Sequence, residues 1–285
     1  MNARTDLALE AVEALEQVPK GIEKHEENLG KTIITRIIIK DKQGEEAVGK
    51  PIGTYITIKV PPFGENGGFD EDSHTAIKKE IEKLIPETGS VLIVGIGNTA
   101  ITPDAFGPKT AEGILATRHI SGELARSVGL DGLRSVAVIN PGVLGQTGIE
   151  SAEIIKSIAL NIEPTCVICI DALAAQSLSR LGNTVQIADS GICPGSGVGN
   201  KRNEISERTI GIKVVSIGVP TVVDAEAIVS EFSEENKLQK NENLNMIVTP
   251  REIDLVIDRS AEMISFAINC ALQKNIDPKI LQSLV

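Results

Sequence analysis

Aromatic side chains are nearly absent from this 285-residue chain, which has five Phe, one Tyr (Tyr55) and no Trp. Such scarcity argues against a base-stacking platform or an aromatic sugar-binding face. Histidine is almost as scarce: His25, His74 and His119 are the full set. Cysteine stands only at 166, 169, 193 and 270, so no zinc set of closely spaced His and Cys can be assembled. No run of eighteen uninterrupted apolar residues occurs, which argues against a membrane-spanning helix. The N-terminal segment MNARTDLALEAVEALEQ is charged from the start and lacks the apolar stretch of a secretion signal. The expectation is a cytoplasmic chain with reduced thiols. Basic residues are outnumbered, with 28 Lys and Arg against 39 Asp and Glu and a net charge of −11. A broad cationic face for nucleic acid is not expected, and an anionic membrane surface would repel the chain.

What is present is an ordinary globular composition, 41% apolar and 24% charged, long enough for one large α/β domain with or without an appended subdomain. Residues 1–30 read as helix-prone and charged, ending in a polar linker, GIEKHEENLG. KTIITRIIIK and GTYITIKV flank the turn-rich DKQGEEAVGKP, and such β-branched runs around a glycine-containing turn predict a hairpin over 31–60. From residue 90 onward the pattern changes. Short apolar runs stand at 91–96, 135–140, 166–171, 184–189 and 214–219. Amphipathic spacing predicts helices over 77–85, 108–128, 149–162, 222–232 and 251–273. Apolar strands alternating with helices imply a parallel sheet covered on both faces, with a core over 90–274.

Open parallel sheets bind ligands at the carboxyl ends of their strands. All five strand exits here are rich in Gly, Asp, Asn and Thr. Gly95-x-Gly97-Asn98 looks like the start of a dinucleotide loop but has Ala100 at the third glycine. The stretch Pro194–Arg202 alternates three glycines ahead of Lys201 and Arg202. It reads as an anion nest, a loop that receives an extended peptide, or a plain turn. Asp104, Asp171 and Asp189 follow three of the apolar runs. Two carboxylates brought together from neighbouring strands cannot both ionise cheaply, so one holds a proton while the other acts as base. Each Asp also has a structural reading: Asp104 as a helix cap, Asp224 likewise, a strand-end Asp as an acceptor for loop amides. His119 and Cys193 leave a thiol-nucleophile reading open. Cys166 and Cys169, three apart in a strand, point to opposite faces and read as core residues.

Several segments together resemble one family, the germination protease of spore-forming bacteria. They are RTDLALEA (4–11), VGIGNTAITPDAFGPK (94–109), TRH (117–119), PGVLGQTGIE (141–150), IDALAAQS (170–177), ADSGICPGSGVGNKRNEIS (188–206), IGVPTVVDA (217–225) and IVTPREID (247–254). The resemblance implies an atypical aspartic-type endopeptidase with Asp104 and Asp171 as its catalytic pair. It implies a three-layer α/β/α fold with a mostly parallel sheet, similar to hydrogenase-maturation endopeptidases, with the hairpin as an N-terminal extension. It further implies small acid-soluble spore proteins as substrates, a homotetramer in the cytoplasm of the spore core, and no metal or other cofactor. Family members are zymogens that cut themselves, here between Asp6 and Leu7. That leaves 1–6 as pro-segment and 7–285 as one peptidase domain. The loop residues Gly191, Gly195, Ser196, Gly197, Gly199, Lys201 and Arg202 are then candidates for binding substrate or stabilising an oxyanion. An acidic side chain before the cut calls for a cation, with Lys109, Arg118, Lys201 and Arg202 as candidates. The family's longer members carry more chain where this one has only 233–243. Two other readings stand beside this one, a nucleotide-binding protein without peptidase activity and a metal-assisted maturation endopeptidase.

Overall fold

The computed structural model describes residues 5–65, 70–120, 126–127, 132–200, 202–232 and 246–284. Its strands are β1 (Ile22–Leu29), β2 (Thr32–Ile39), β3 (Gly53–Lys59), β4 (Val91–Gly95), β5 (Val136–Ile139), β6 (Cys166–Ala175), β7 (Thr184–Ala188), β8 (Val214–Asp224) and β9 (Ile247–Val248). They form one sheet in the order β1-β2-β3-β7-β8-β6-β4-β5, with β9 paired to β8. The helices are α1 (Ala8–Glu13), α2 (Lys42–Val48), α3 (Glu71–Leu84), α4 (Phe106–Glu112), α5 (Leu144–Thr147), α6 (Ser151–Ile162), α7 (Glu207–Ile210), α8 (Ala225–Phe232), α9 (Ile253–Leu272) and α10 (Pro278–Ser283).

The four strands β5, β4, β6 and β8 are parallel, and their sequences are almost wholly apolar because both faces are covered. On one face Ile77 of α3, Phe106 of α4 and Ile264 of α9 pack against Ile93, Ile168 and Ile217. On the other, Ile155 of α6 and Ile210 of α7 pack against Leu92, Val94 and Val167. Each such buried Ile or Leu contributes about 1.5–3 kcal/mol. The result is three layers, α/β/α. Cys166 belongs to the first layer contact and Cys169 to the second, as period-two geometry requires. Burial pushes the Cys166 thiol up to about 11, so it is a core residue and not a nucleophile.

The sheet is mixed beyond those four strands. The run at 184–189 enters as β7, antiparallel to β8 and to β3. Only residues 176–183 link it to β6, too few to carry the chain back along the sheet for a parallel crossover. The hairpin forms as expected from β2 and β3 and, through β3 and β7, continues the same sheet. Two elements of this region differ from the expectation. GIEKHEENLG is a strand, β1, paired antiparallel with β2. Its residues Lys24 to Asn28 are all exposed, so it has no apolar alternation to betray it. Charged side chains also protect this outer edge from pairing with another chain. The turn-rich 41–49 closes as α2, capped by the Asp41 side chain, which accepts from the Gly44 N–H at 2.9 Å. The predicted helix over 108–128 ends at Gly113 as α4, and part of its remainder lies outside the described residues. So does 233–243.

Candidate active site

Asp104 and Asp171 are delivered to one place by two adjacent parallel strands, β4 and β6. The chain leaves β4 through Gly97, whose φ of 139° no side-chain-bearing residue adopts readily. A Cβ there would lie 2.0 Å from the Asp104 carbonyl oxygen, so the loop folds back tightly on the single 3-10 turn Thr102–Asp104. The Asn98 N–H donates to the Asp104 side chain at 2.8 Å and to its carbonyl oxygen at 3.2 Å. The Thr221 hydroxyl of β8 donates to the Pro103 carbonyl at 2.8 Å and pins the turn over the sheet. Gly95 and Gly97 thus serve close backbone packing here, with Gly95 pressed between Asn140 and the Gly107 carbonyl.

Asp171 lies within β6 and is only 4% exposed. Burial, the nearby charge of Asp104 and that of Asp6 hold its carboxyl protonated well above the usual carboxylate range. Burial also raises Asp104, against the lowering effect of the Asn98 N–H. The environments are therefore unequal. Asp171 keeps its proton the longer, and Asp104, half-exposed and hydrogen-bonded, ionises first.

A third carboxylate, Asp6, completes the cluster, and it comes from the N-terminal segment. The Asp6 N–H donates to the Ala174 carbonyl of β6 at 2.9 Å, and the Ala174 N–H donates back to the Asp6 carboxylate at 2.9 Å. The Ser196 hydroxyl donates to the other carboxylate oxygen at 2.6 Å. A Cβ on Gly197 would stand 2.4 Å from that carboxylate and 2.7 Å from Ala174 Cβ, so only glycine lets the loop close over Asp6. Leu7 is fully buried beside Leu173, Ala175, Val223 and Ala227. Glu10, also buried, accepts from the Gln176 and Ser177 N–H groups at 2.8 and 3.0 Å. The segment preceding α1 is seated in the site, and its hydrogen bonds run to β6, β7 and the glycine loop.

The cation beside Asp6 is Lys50. Its ammonium donates to the Thr5 carbonyl at 2.7 Å. Burial lowers its pKa against the raising influence of Asp6, Cys193 and Glu10. Lys50, Asp6, Tyr55, Cys193 and Ser196 line a cavity of about 580 Å³. Of the other candidate cations, Lys109 is paired with Asp258 on α9 and Arg118 is exposed; Lys201 lies outside the described residues. Arg202 donates its N–H to the Pro194 carbonyl at 3.0 Å. No sequence signal marked Lys50, which sits in the linker between α2 and β3, far along the chain from either aspartate.

The glycine loop is internally bonded. Gly195 and Gly199 bracket the 3-10 turn Ser196–Val198. The N–H groups of Ser196, Val198, Gly199 and Asn200 all donate to carbonyls within the loop. Gly191 sits against Ile205 and Ser206, beside the bridge from Ile192 to Ile205. The loop offers the segment a hydroxyl and a close backbone approach. Of the remaining strand-end candidates, Asp189 accepts from the Thr54 N–H at 2.7 Å and Asp224 from the Glu226 N–H at 2.8 Å. Both do the structural work of holding loop or helix-end amides. His119 is exposed on the turn after α4. Among the described residues no group of three or more His, Cys, Asp or Glu is arranged to hold a metal ion, and no helix is long and apolar enough to cross a membrane.

Fold and site together define an open α/β protein with an unequal pair of carboxyls, one buried and one half-buried, at the carboxyl ends of its central strands. The sequence profile described as "Germination protease" matches residues 3–235. The chain is 41% identical over 324 aligned positions to a germination protease of Caldanaerobacter subterraneus subsp. tengcongensis, covering 100% of this chain and 98% of the relative. It is 37% identical to that of Clostridium tetani, covering 99% of each. It is 34% identical to that of Priestia megaterium, covering 97% of this chain and 95% of the relative. Among solved structures, a NiFe hydrogenase maturation protease from Thermococcus kodakarensis aligns over 66% of this chain and 98% of its own, with a TM-score of 0.38 and 19% identity. The chain belongs to the germination protease family. It is a peptide-bond hydrolase, an endopeptidase of spore germination.

Proposed function

We propose that this endopeptidase cuts small acid-soluble spore proteins after acidic residues, by means of a water molecule held between Asp104 and Asp171. The observation that carries the reading is the unequal carboxyl pair with a peptide segment of its own chain seated beside it. Asp104, the more readily ionised, takes a proton from water as the oxygen attacks the peptide carbonyl carbon. Asp171 gives its proton to the leaving nitrogen as the C–N bond breaks. An acid and an amine are released, and the proton taken by Asp104 returns to Asp171 through solvent. Ser196 and the Ala174 N–H hold the acidic side chain before the cut, as they hold Asp6, and Lys50 holds the carbonyl of the residue preceding it, as it holds that of Thr5.

The same reading makes the chain a zymogen that cuts its own Asp6–Leu7 bond, with 1–6 as the pro-segment. Until then Asp6 occupies the place of a substrate's acidic residue and blocks it. The active form is a homotetramer in the spore core, and light scattering on the purified protein tests the assembly state. The central test is incubation of the purified protein with a small acid-soluble spore protein, followed by mass analysis of the fragments and N-terminal sequencing of the enzyme. The expected result is cleavage on the carboxyl side of an acidic residue followed by a large apolar one, and a mature enzyme beginning at Leu7. Fragments without an acidic residue at the cut, or an active enzyme that keeps residues 1–6, would overturn the reading.

A further inference from the structure

Gln186 is a polar residue in the middle of an apolar strand, β7, between Val185 and Ile187, which are fully buried. Its own exposure is 8%. A buried side-chain amide needs partners, and among the described residues the hydrogen bonds this one makes both go to the N-terminal segment. Its Nε2 donates to the Asp6 carbonyl oxygen at 3.0 Å, and its Oε1 accepts from the Ala8 N–H at 2.9 Å. One amide thus brackets Leu7, holding the carbonyl of the Asp6–Leu7 bond and the next N–H beyond it. Its strand neighbour in register, Thr57, leaves its own buried hydroxyl without a partner, so that hydroxyl does not hold the amide from behind.

Strand register aligns this group with the acid. Gln186 pairs with Gly218 of β8, and Gly218 pairs with Asp171 of β6. Residues paired in register project from the same face of a sheet, so Gln186 and Asp171 stand on one face, two strands apart. The residue between them has no side chain. In the row Gln186, Gly218, Asp171 the missing Cβ of Gly218 makes room for the Leu173 side chain, which lies 2.5 Å from where that Cβ would stand, so the amide donor and the carboxyl stand on either side of Leu173 on one face. The Asp6 carbonyl oxygen is already bonded to the amide.

We infer that Gln186 is a further catalytic residue, whose side-chain N–H binds the oxygen of the scissile carbonyl and stabilises the negative charge that develops there, while its carbonyl fixes the N–H two residues on. This rests on the reading that the Asp6–Leu7 bond lies in the site as a substrate bond does. A donor already aimed at that oxygen needs no reorganisation as charge builds, which is the condition for this kind of stabilisation. The N–H groups of Ser196, Val198, Gly199 and Asn200 are committed within their own loop and do not compete for this oxygen.

The test uses the full chain, a peptide copying residues 2–14 as substrate, and a second peptide in which the carbonyl oxygen at the Asp–Leu bond is replaced by sulfur. Gln186→Met keeps the side-chain length and removes both hydrogen bonds; Gln186→Glu keeps the acceptor and removes the amide donor. Each folded variant, checked by circular dichroism and melting temperature, should lose roughly 100-fold in kcat, with less change in KM for Gln186→Glu than for Gln186→Met. The wild type should cut the sulfur peptide much more slowly than the oxygen peptide. That discrimination should shrink in both variants, because the donor that senses the oxygen is gone. If a folded variant stays within about threefold of wild-type kcat, or keeps the full oxygen-over-sulfur preference, the inference falls. If the wild type cuts neither this peptide nor a spore protein at an acidic–apolar bond, the functional reading fails first, and the two failures are told apart by that control.

Discussion

The parallel half of the sheet and its antiparallel wing contribute different things to one site. The parallel strands contribute Asp104, on the turn after β4, and Asp171, within β6, the groups proposed to exchange protons. The wing, β3 and β7 with the linker after α2, carries Lys50 and Gln186, the groups that hold the chain's own N-terminal segment. The parallel strands are apolar on both faces and rigidly packed, so they can bury a carboxyl and raise its pKa. The wing has a solvated edge at β1 and a cavity behind Lys50, so it can admit a peptide. On the proposed reading, chemistry is placed against the packed core and recognition where a chain can enter.

The sharpest way to break this comparison is to remove the acids. Asp104→Asn and Asp171→Asn should each lower kcat by about 10³-fold and leave the melting temperature unchanged or higher, since Asn replaces a carboxyl that burial already disfavours in its charged form. Cleavage assays with melting curves check this, and a variant that keeps a tenth of wild-type activity would remove that aspartate from the chemistry.

A smaller effect is expected on the recognition side. Gly197→Ala places a methyl group 2.4 Å from the Asp6 carboxylate and forces the loop away. It should slow release of residues 1–6 about tenfold, with a stability loss of about 1–3 kcal/mol. Timed N-terminal sequencing and denaturant unfolding read the two effects separately. Processing at the wild-type rate would show that the loop does not need to close over Asp6.

The smallest effect is a pH dependence of stability. The unfolded Asp171 loses its proton near the ordinary value of 3.8, whereas the folded one keeps it to well above that. Between those points the folded state binds the more protons, so stability falls as pH rises until the folded carboxyl has ionised. The stability difference between the wild type and Asp171→Asn should therefore move against the wild type from about pH 4 upward and then level off. Unfolding by urea across pH 4–9 measures it, and a flat difference would mean that Asp171 is not held protonated.

Much of the parallel half was legible because its strands are covered on both faces, which leaves only apolar residues at 91–96, 166–171 and 214–219. The paired aspartates were legible because they end or follow such runs. The wing was harder. β1 has one buried residue, Ile22, and exposed strands carry no periodic signal. Gln186 did interrupt an apolar run, and a polar residue in a buried strand was the mark that could have found it.

By itself the amino-acid order determined the layered core, the hairpin of β2 and β3, the family, and the strand exits that carry the candidate aspartates. These follow from local periodicity and from short motifs that need no partner to be read. Only the tertiary structure decided that β7 runs antiparallel, that Lys50 and not Lys109 stands beside Asp6, and that Asp171 is the more reluctant of the two acids to ionise. Each of those depends on which strands become neighbours and on how much water their packing removes. Those are properties of the folded surroundings, which the chain makes only when segments more than a hundred residues apart meet.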